Sequence, residues 1–190
     1  MRGHRLHALA THRQQQPGTV AAQPLPTGTF AFLFTDIEDS TRLWQEAPEE
    51  MHPSLAKHDA IVRGGIEALG GRVFKTAGDA FYATFDVPRC ALKAALALQA
   101  ALLAEPWSKE TPIRVRMVVH TGVAQWRDGD YFGPALNVVA RVLSVARGGQ
   151  TLFTGAVRDL LSGTHLECAE IESHGFYRVA LDGASAAPAV

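Results

Sequence analysis

The sequence predicts an α+β fold, and three observations lead to this prediction. Short apolar runs of strand length alternate with longer segments in which apolar residues recur at helical spacing. Two of the short runs are separated only by a tight turn, which is typical of a β-hairpin. The chain has 190 residues, of which 47% are hydrophobic and 19% charged, as expected for one globular domain with a sizeable core.

The first half of the chain predicts a strand, a helical region and a hairpin. Residues 30–35 form a nearly continuous apolar run, which is typical of a central strand. Ser40 or Thr41 can cap the helical region that follows, and Gly70-Gly71 ends it. The hairpin consists of strands over 72–75 and 80–85, joined by a turn at Ala77-Gly78.

The second half of the chain predicts two further helices and three strands. These elements are a helix from Pro88, a strand over 113–120, a helix from Pro134 through Val145, and strands over 151–153 and 176–180. Strand, helix, hairpin, helix and strand in this order make the ferredoxin-like βαββαβ plan. The remaining helix and strands add a C-terminal part to this core.

Composition divides the chain and excludes several classes of protein. We expect a disordered tail over residues 1–28, a single domain over 29–182 and a flexible end over 183–190. A formal net charge of -1 argues against nucleic-acid binding through bulk electrostatics. Since no apolar stretch reaches the ~20 residues of a membrane span, we expect no such span and a cytoplasmic location.

Two aspartates lie at the ends of strands that this plan brings together. Asp36 follows the first strand, and Asp79 lies in the turn of the hairpin beside it. Neighbouring carboxylates repel each other unless a cation lies between them, and Mg²⁺ and Mn²⁺ prefer oxygen ligands. Two such ions can activate a hydroxyl for attack at phosphorus. The alternative is that Asp36 caps a helix and Asp79 only forms a turn, and the two residues alone leave both explanations open.

Three local sequences resemble the motifs of the class III nucleotidyl cyclases. Residues 34–44, FTDIEDSTRLW, resemble the first metal-binding segment of that family, F-x-D-I-x-G-S/F-T. Residues 74–81, FKTAGDAF, resemble its second metal motif, and residues 133–141, GPALNVVAR, resemble its transition-state segment. The three motifs occur in the order and at the spacing of the family, and they cover roughly residues 29–155. The set is therefore much more specific than any one motif.

The resemblance implies an adenylate cyclase, which converts ATP to 3′,5′-cyclic AMP and pyrophosphate with two Mg²⁺ or Mn²⁺ ions per site. It implies that Asp36, Asp79 and the carbonyl of Ile37 bind these ions. The threonine that ends the first motif, Thr41, is assigned to substrate binding. Asn137 and Arg141 lie four residues apart on one predicted helix and therefore face the same way. In the family, the asparagine positions the ribose and the arginine stabilises charge on the phosphate.

The resemblance also implies a choice of base and an oligomeric state. Lys75 and Asp130 match the two base-selecting positions. A lysine can only donate, so it can bond to N1 of adenine but not to the N1–H of guanine, and a carboxylate can accept from the adenine amino group. We therefore expect ATP rather than GTP. In the family one chain supplies the metal aspartates and another the remaining groups, so a chain with both sets implies a head-to-tail homodimer.

Two positions depart from the family pattern. Asp39 occupies the place of a glycine that lets the backbone approach the triphosphate. Glu172 and His174 are nearest to the place where the family has a phosphate-binding lysine. These departures predict weak ATP binding, and a catalytically weak or inactive regulatory module remains an alternative. A polymerase-palm or diguanylate-cyclase type of enzyme is a second alternative, against which the absence of a Gly-Gly-Asp/Glu-Glu-Phe motif counts.

Overall fold

The computed structural model describes residues 28–161, 168–171 and 175–179. The strands in these ranges are β1 (Gly28–Ile37), β2 (Arg72–Ala77), β3 (Ala80–Phe85), β4 (Val115–Arg127), β5 (Asp130–Phe132), β6 (Thr151–Thr154), β7 (Cys168–Ile171) and β8 (Phe176–Val179). The helices are α1 (Ser40–Glu46), α2 (Pro48–Ala68), α3 (Pro88–Ala104), α4 (Pro134–Val145) and α5 (Gly155–Leu160). Of the predicted tail over 1–28, only Gly28 is described, and it begins β1. The predicted end over 183–190, together with Glu172 and His174, lies outside the described residues.

The sheet has the strand order β2-β3-β1-β4-β6-β8-β7, and β5 pairs with the far end of β4. β1 is antiparallel to both β3 and β4. Together with the β2–β3 hairpin, this is the order of the ferredoxin-like βαββαβ core. β6 pairs in parallel with β4 and carries β8 and β7 as the C-terminal addition. The predicted α+β fold class is therefore confirmed.

Side chains on β1 alternate between two hydrophobic cores, one on each face of the sheet. Leu33 and Ile37 belong to the larger core, which buries residues of α2 and α3. Phe32 and Phe34 belong to the smaller core, which lies against α4. Because successive strand residues point to opposite faces, Asp36 lies on the face of Phe34 and α4. The register of β1 thus decides on which face of the sheet the first candidate metal ligand lies.

The structure corrects the predicted helix cap at Ser40 or Thr41. Asp39 is the N-cap residue, since its carbonyl accepts a hydrogen bond from Leu43 N–H at 3.1 Å. Ser40 and Thr41 therefore lie in the first turn of α1. Asp39 makes no side-chain cap and adopts a left-handed conformation with φ of 57°, which aspartate tolerates better than most residues other than glycine.

Several predicted boundaries also differ from the structure. β2 continues through Ala77, which pairs with Ala80, so the turn of the hairpin is Gly78-Asp79 rather than Ala77-Gly78. The helical region before the hairpin consists of two helices, which break at Ala47 because Pro48 fits only the first turn of a new helix. β4 extends to Arg127 rather than ending at His120, since its second half pairs with the start of β1 and with β5. Across the described residues we find no helix of the length and hydropathy needed to cross a membrane.

Candidate functional site

The two aspartates of the first candidate site come together at the end of β1. Asp36 is next to last in this strand, and Asp79 lies in the turn between β2 and β3. The antiparallel register, which places Thr35 opposite Phe81, brings that turn to the end of β1. There Asp79 Oδ2 accepts a hydrogen bond from Ile37 N–H at 2.9 Å. Residues distant in sequence thus converge, as the βαββαβ order predicts.

Electrostatic repulsion and burial act together on the Asp36 carboxyl. Its burial raises the pKa of Asp36 above the ordinary value, and the negative charge of Asp79 acts in the same direction. The Arg116 guanidinium opposes both effects without cancelling them. A carboxylate that is half-buried beside a like charge is stabilised by a cation. The electrostatics therefore fit a site for positively charged ligands.

Arg116 is a residue of this site that the sequence analysis missed. Its Nε and Nη2 atoms donate to Asp36 Oδ2 at 2.9 and 2.5 Å. The register of β4 against β1 places Arg116 directly opposite Asp36. A signal was present in the sequence, because Arg116 is a charged residue between two apolar positions, Val115 and Met117, that are buried on the other face.

The oxygen ligands at the end of β1 suit hard divalent cations. Carboxylates and backbone carbonyls are the groups that Mg²⁺ and Mn²⁺ prefer, and Asp36, Asp79 and the peptide of Ile37 provide them. No group of three or more His, Cys, Asp and Glu side chains that could hold a metal occurs among the described residues. Two carboxylates complete only part of a six-coordinate shell. The remaining ligands would come from water or from the oxygens of a substrate.

A cavity of about 570 Å³ lies between β2, β5 and α4. Aromatic side chains form much of its wall, and three polar residues line it, namely Lys75, Asp130 and Asn137. Lys75 Nζ donates a short hydrogen bond to Asp130 Oδ2, and Asp130 Oδ1 accepts from Tyr131 N–H at 2.7 Å. The hydrogen bond between Lys75 and Asp130, together with the negative charge of Asp130, raises the pKa of Lys75. A cation and a carboxylate thus lie side by side in a pocket whose wall is largely aromatic.

The structure does not bring all predicted site residues into this cavity. Arg141 is exposed on α4, one turn beyond Asn137, and Thr41 is exposed on α1. Neither belongs to the cavity wall, and neither do Asp36 and Asp79. The predicted residues therefore form two separate sets. Lys75, Asp130 and Asn137 are called the pocket group, and the two aspartates Asp36 and Asp79 are called the carboxylate group.

Comparison with known proteins places this arrangement in a family. The model of the adenylate and guanylate cyclase catalytic domain matches residues 22–183. An uncharacterized protein of Mycobacterium tuberculosis is 41% identical over 140 residues, which are 73% of this chain and 47% of that protein. An adenylate cyclase of Lachancea kluyveri is 37% identical over 152 residues, which are 66% of this chain and 8% of that enzyme. The chain thus spans about half of the mycobacterial relative and a small part of the fungal one.

Solved structures support the same assignment. A Trypanosoma brucei adenylate cyclase in its monomeric state superposes with a TM-score of 0.72 at 26% identity, covering 82% of this chain and 91% of that one. An adenylate/guanylate cyclase/hydrolase of Silicibacter pomeroyi has a TM-score of 0.67 at 24% identity, covering 83% and 99% of the two chains, and supports the fold alone. The chain belongs to the adenylate and guanylate cyclase catalytic domain family.

Proposed function

We propose that residues 29–182 form an adenylate cyclase domain, which converts ATP to 3′,5′-cyclic AMP and pyrophosphate. The observation that carries the choice of ATP is the ion pair of Lys75 and Asp130 in the cavity. The ribose 3′-hydroxyl loses its proton to water as its oxygen forms a bond to the α-phosphorus. The bond from that phosphorus to the oxygen that bridges to the β-phosphate breaks, and pyrophosphate leaves. Membership of the family supports the cyclase chemistry, and the ion pair supports the base.

Adenine and guanine present opposite hydrogen-bonding groups to such a pair. Adenine offers an acceptor at N1 beside an amino donor, which match the ammonium of Lys75 and the carboxylate of Asp130. Guanine offers an N1–H donor beside a carbonyl acceptor, so both contacts would be mismatched. A polar pocket rejects a ligand that leaves its groups unpaired much more strongly than an apolar pocket does. The backbone N–H of Tyr131 fixes the carboxylate in place for this readout.

The carboxylate group would bind the metal ions that hold the reacting phosphate. Asp36 and Asp79, with the carbonyl of Ile37, would bind two Mg²⁺ or Mn²⁺ ions. Such ions favour the ionised form of an attacking hydroxyl and neutralise the leaving pyrophosphate. Arg116, in contact with Asp36, adds a fixed positive charge at the place where the triphosphate would lie. This cation offsets the lack of a lysine near residues 172–174.

The pocket group would hold the nucleoside. Asn137 lines the cavity beside the base-reading pair and can bond to the ribose hydroxyls. Arg141 is one turn further along α4, with its side chain exposed, and no ion pair holds it among the described residues. Its guanidinium would then meet the charge that develops on the α-phosphate, where a positive charge stabilises the transition state. Thr41, exposed on α1, would contact the substrate from the metal side.

A complete site needs two copies of the chain. Lys75, Asp130 and Asn137 line a cavity to which Asp36 and Asp79 do not contribute. In a head-to-tail homodimer the pocket group of one copy would face the carboxylate group of the other, which gives two equivalent sites. A catalytically weak regulatory module is the second candidate, and Asp39 favours it, because an exposed carboxylate there adds negative charge beside the triphosphate.

A product assay tests the proposal. We expect purified chain with Mn²⁺ to release cyclic AMP from ATP, and much less cyclic GMP from GTP, as measured by chromatography. Asp79→Ala is the control, and its product should fall to the background. If the wild-type chain forms no cyclic nucleotide at a concentration where a dimer is measured, the enzyme assignment is refuted and the regulatory module remains.

A further inference from the structure

We propose that Tyr131 is a positioning residue for base selection, because its side chain holds Asp130 on β5 against Lys75 on β2. The inference rests on the proposed function and states how the chain maintains the spacing of its two base-reading groups. The juxtaposition that carries it is a buried tyrosine directly beside the carboxylate, with its ring and its hydroxyl held by residues of β2 and β3.

Lys75 and Asp130 lie on strands that pair with different neighbours. Among the described strands, β5 pairs with β4 alone, through the three residue pairs that begin with Gln125 and Phe132. β2 lies at the edge of the sheet and pairs with β3. The pairing of these strands therefore leaves the distance between β5 and β2 open, and side chains must set it.

An irregularity in β2 turns Lys75 towards β5. Val73 is opposite Ala83 and Lys75 is opposite Tyr82, so Phe74 is an extra residue in β2. An extra residue of this kind interrupts the alternation of side chains between the two faces of a sheet. Phe74 and Lys75 consequently both line the cavity, whereas strict alternation would place Lys75 on the face of Val73 and the larger core.

The Tyr131 ring fixes β5 to the sheet. It is 2% exposed, and its centroid is 5.0 Å from that of Phe74 in an edge-to-face arrangement. It also contacts Trp126, at 5.0 Å, and Phe30, at 5.6 Å. Aromatic pairs of this geometry stabilise a structure by more than their buried area alone. Because Phe74 directly precedes Lys75, the contact links β5 to the segment of β2 that carries the lysine.

The Tyr131 hydroxyl adds a directional contact to a third strand. It forms a hydrogen bond with the Thr84 hydroxyl on β3, and Thr84 is only 4% exposed. Since a buried hydroxyl without a partner costs free energy, this bond favours one position of the ring. The backbone N–H of Tyr131 donates to Asp130 Oδ1 at 2.7 Å. One residue thus holds the carboxylate through its main chain and the strand through its side chain.

Loss of this anchor should weaken the discrimination between bases rather than nucleotide binding in general. If β5 moves, Asp130 leaves Lys75, so the contact with the adenine amino group weakens. The same movement relieves the repulsion between Asp130 and the carbonyl oxygen of guanine. A change that only lowered the stability of the fold would instead alter the affinities for both nucleotides alike.

The experiment measures the dissociation constants of 3′-deoxy-ATP and 3′-deoxy-GTP, neither of which can cyclise. Isothermal titration calorimetry is done with Mn²⁺, at a protein concentration where a dimer is measured. We expect Tyr131→Phe, which keeps the ring, to reduce the preference for the adenine nucleotide about five-fold, the effect of one lost hydrogen bond. Thr84→Val should produce a similar reduction. The double variant should be no worse than either single variant, since all three lack the same bond.

A second readout needs no nucleotide. The hydrogen bond to Asp130 and the charge of Asp130 raise the pKa of Lys75 in wild type. If Asp130 moves away, the pKa of Lys75 should fall towards its ordinary value in Tyr131→Phe and in Thr84→Val. Nitrogen-15 NMR of the Lys75 side chain, assigned by its loss in Lys75→Gln, measures this change.

Tyr177→Phe is the matched control. Tyr177 is also buried, and its hydroxyl also has a side-chain partner, Arg158, but it packs in the larger core on the other face of the sheet. Loss of this hydroxyl should leave both the base preference and the pKa of Lys75 close to those of wild type. Circular dichroism checks that each variant is folded, and Thr84→Val tests the same bond if Tyr131→Phe does not fold.

The outcomes separate this inference from the proposed function. An unchanged base preference in folded Tyr131→Phe and Thr84→Val, or an equal reduction in Tyr177→Phe, refutes the positioning role, while cyclic AMP production by wild type still supports the cyclase. If wild type binds neither analogue and forms no product, the proposed function fails and the inference fails with it. A reduced preference with a lowered pKa of Lys75, both absent from Tyr177→Phe, supports the positioning of Asp130 by Tyr131.

Discussion

Two inactive variants of this chain should restore activity when they are mixed. Asp79→Ala removes a carboxylate and the acceptor that holds Ile37 N–H, whereas Asn137→Ala removes a group from the cavity wall. The two positions belong to separate groups, and a shared site takes one group from each copy. In a mixed dimer, one site therefore combines both defects and the other combines neither.

The expected recovery follows from this division. If the copies pair at random, about half of the dimers in an equal mixture contain one of each variant, and one of their two sites is intact. The mixture should therefore regain about one quarter of wild-type activity at equal total protein. Each variant alone should have almost none, because a catalytic group is missing from both of its sites.

Cyclic AMP release is measured after co-refolding or prolonged mixing, and native mass spectrometry confirms that mixed dimers form. A mixture of Asp79→Ala with Asp36→Ala is the control, because both defects lie in the same group and no combination contains an intact site. Recovery no greater than in this control, with mixed dimers present, would refute the shared site.

Three further predictions concern base choice, packing and pH. Lys75→Glu combined with Asp130→Cys should shift the preference of the enzyme from ATP towards GTP in competition assays, because the pocket would then match the N1–H donor and the carbonyl acceptor of guanine. An unchanged preference would contradict the roles assigned to Lys75 and Asp130. Gly71→Ala should lower the free energy of unfolding by about 1–3 kcal/mol, because the new methyl group would overlap buried side chains. Gly64→Ala, in a helix with open space around the position, should instead raise the free energy of unfolding by up to about 1 kcal/mol. Equal effects of the two substitutions in urea unfolding would contradict the steric overlap expected at Gly71. Burial raises the pKa of Asp36 above 3.8, so the folded chain holds that proton more tightly than the unfolded chain, and in metal-free wild type the stability that Asp36 contributes should be lost as the pH rises from 3.8 through the raised pKa. Asp36→Asn should lack this contribution, so the free energy of unfolding of wild type relative to Asp36→Asn, measured in urea, should fall as the pH rises through this range. Parallel curves of unfolding free energy against pH for the two proteins would contradict the raised pKa of Asp36.

Much of the core could be predicted from sequence because its signals are local. Apolar runs, the hairpin turn at Gly78 and the helix start at Pro134 each depend on residues close together in the chain. These signals are sufficient for the βαββαβ order, and that order alone predicts that Asp36 and Asp79 meet. The cap was predicted wrongly at Ser40 or Thr41 because several polar residues in a row can each cap a helix, and only the backbone conformation of Asp39 decides between them.

Arg116 shows what local signals do not contain. Its importance depends on the register between β1 and β4, whose facing residues are 80 positions apart. A shift of one residue would turn its side chain to the opposite face of the sheet. The extra length of β4 has the same origin, because its second half is a strand only where β1 and β5 pair with it.

The sequence by itself determined the family, the fold class and the chemical nature of the candidate groups, since these follow from residue types and short spacings. Tertiary structure alone decided how those groups are distributed in space. It joined Lys75 to Asp130 in one cavity, left Asp36 and Asp79 outside that cavity, and set Arg116 against Asp36. The physical reason is that strand register and helix packing fix distances between residues remote in sequence, and these distances decide which charges neutralise one another.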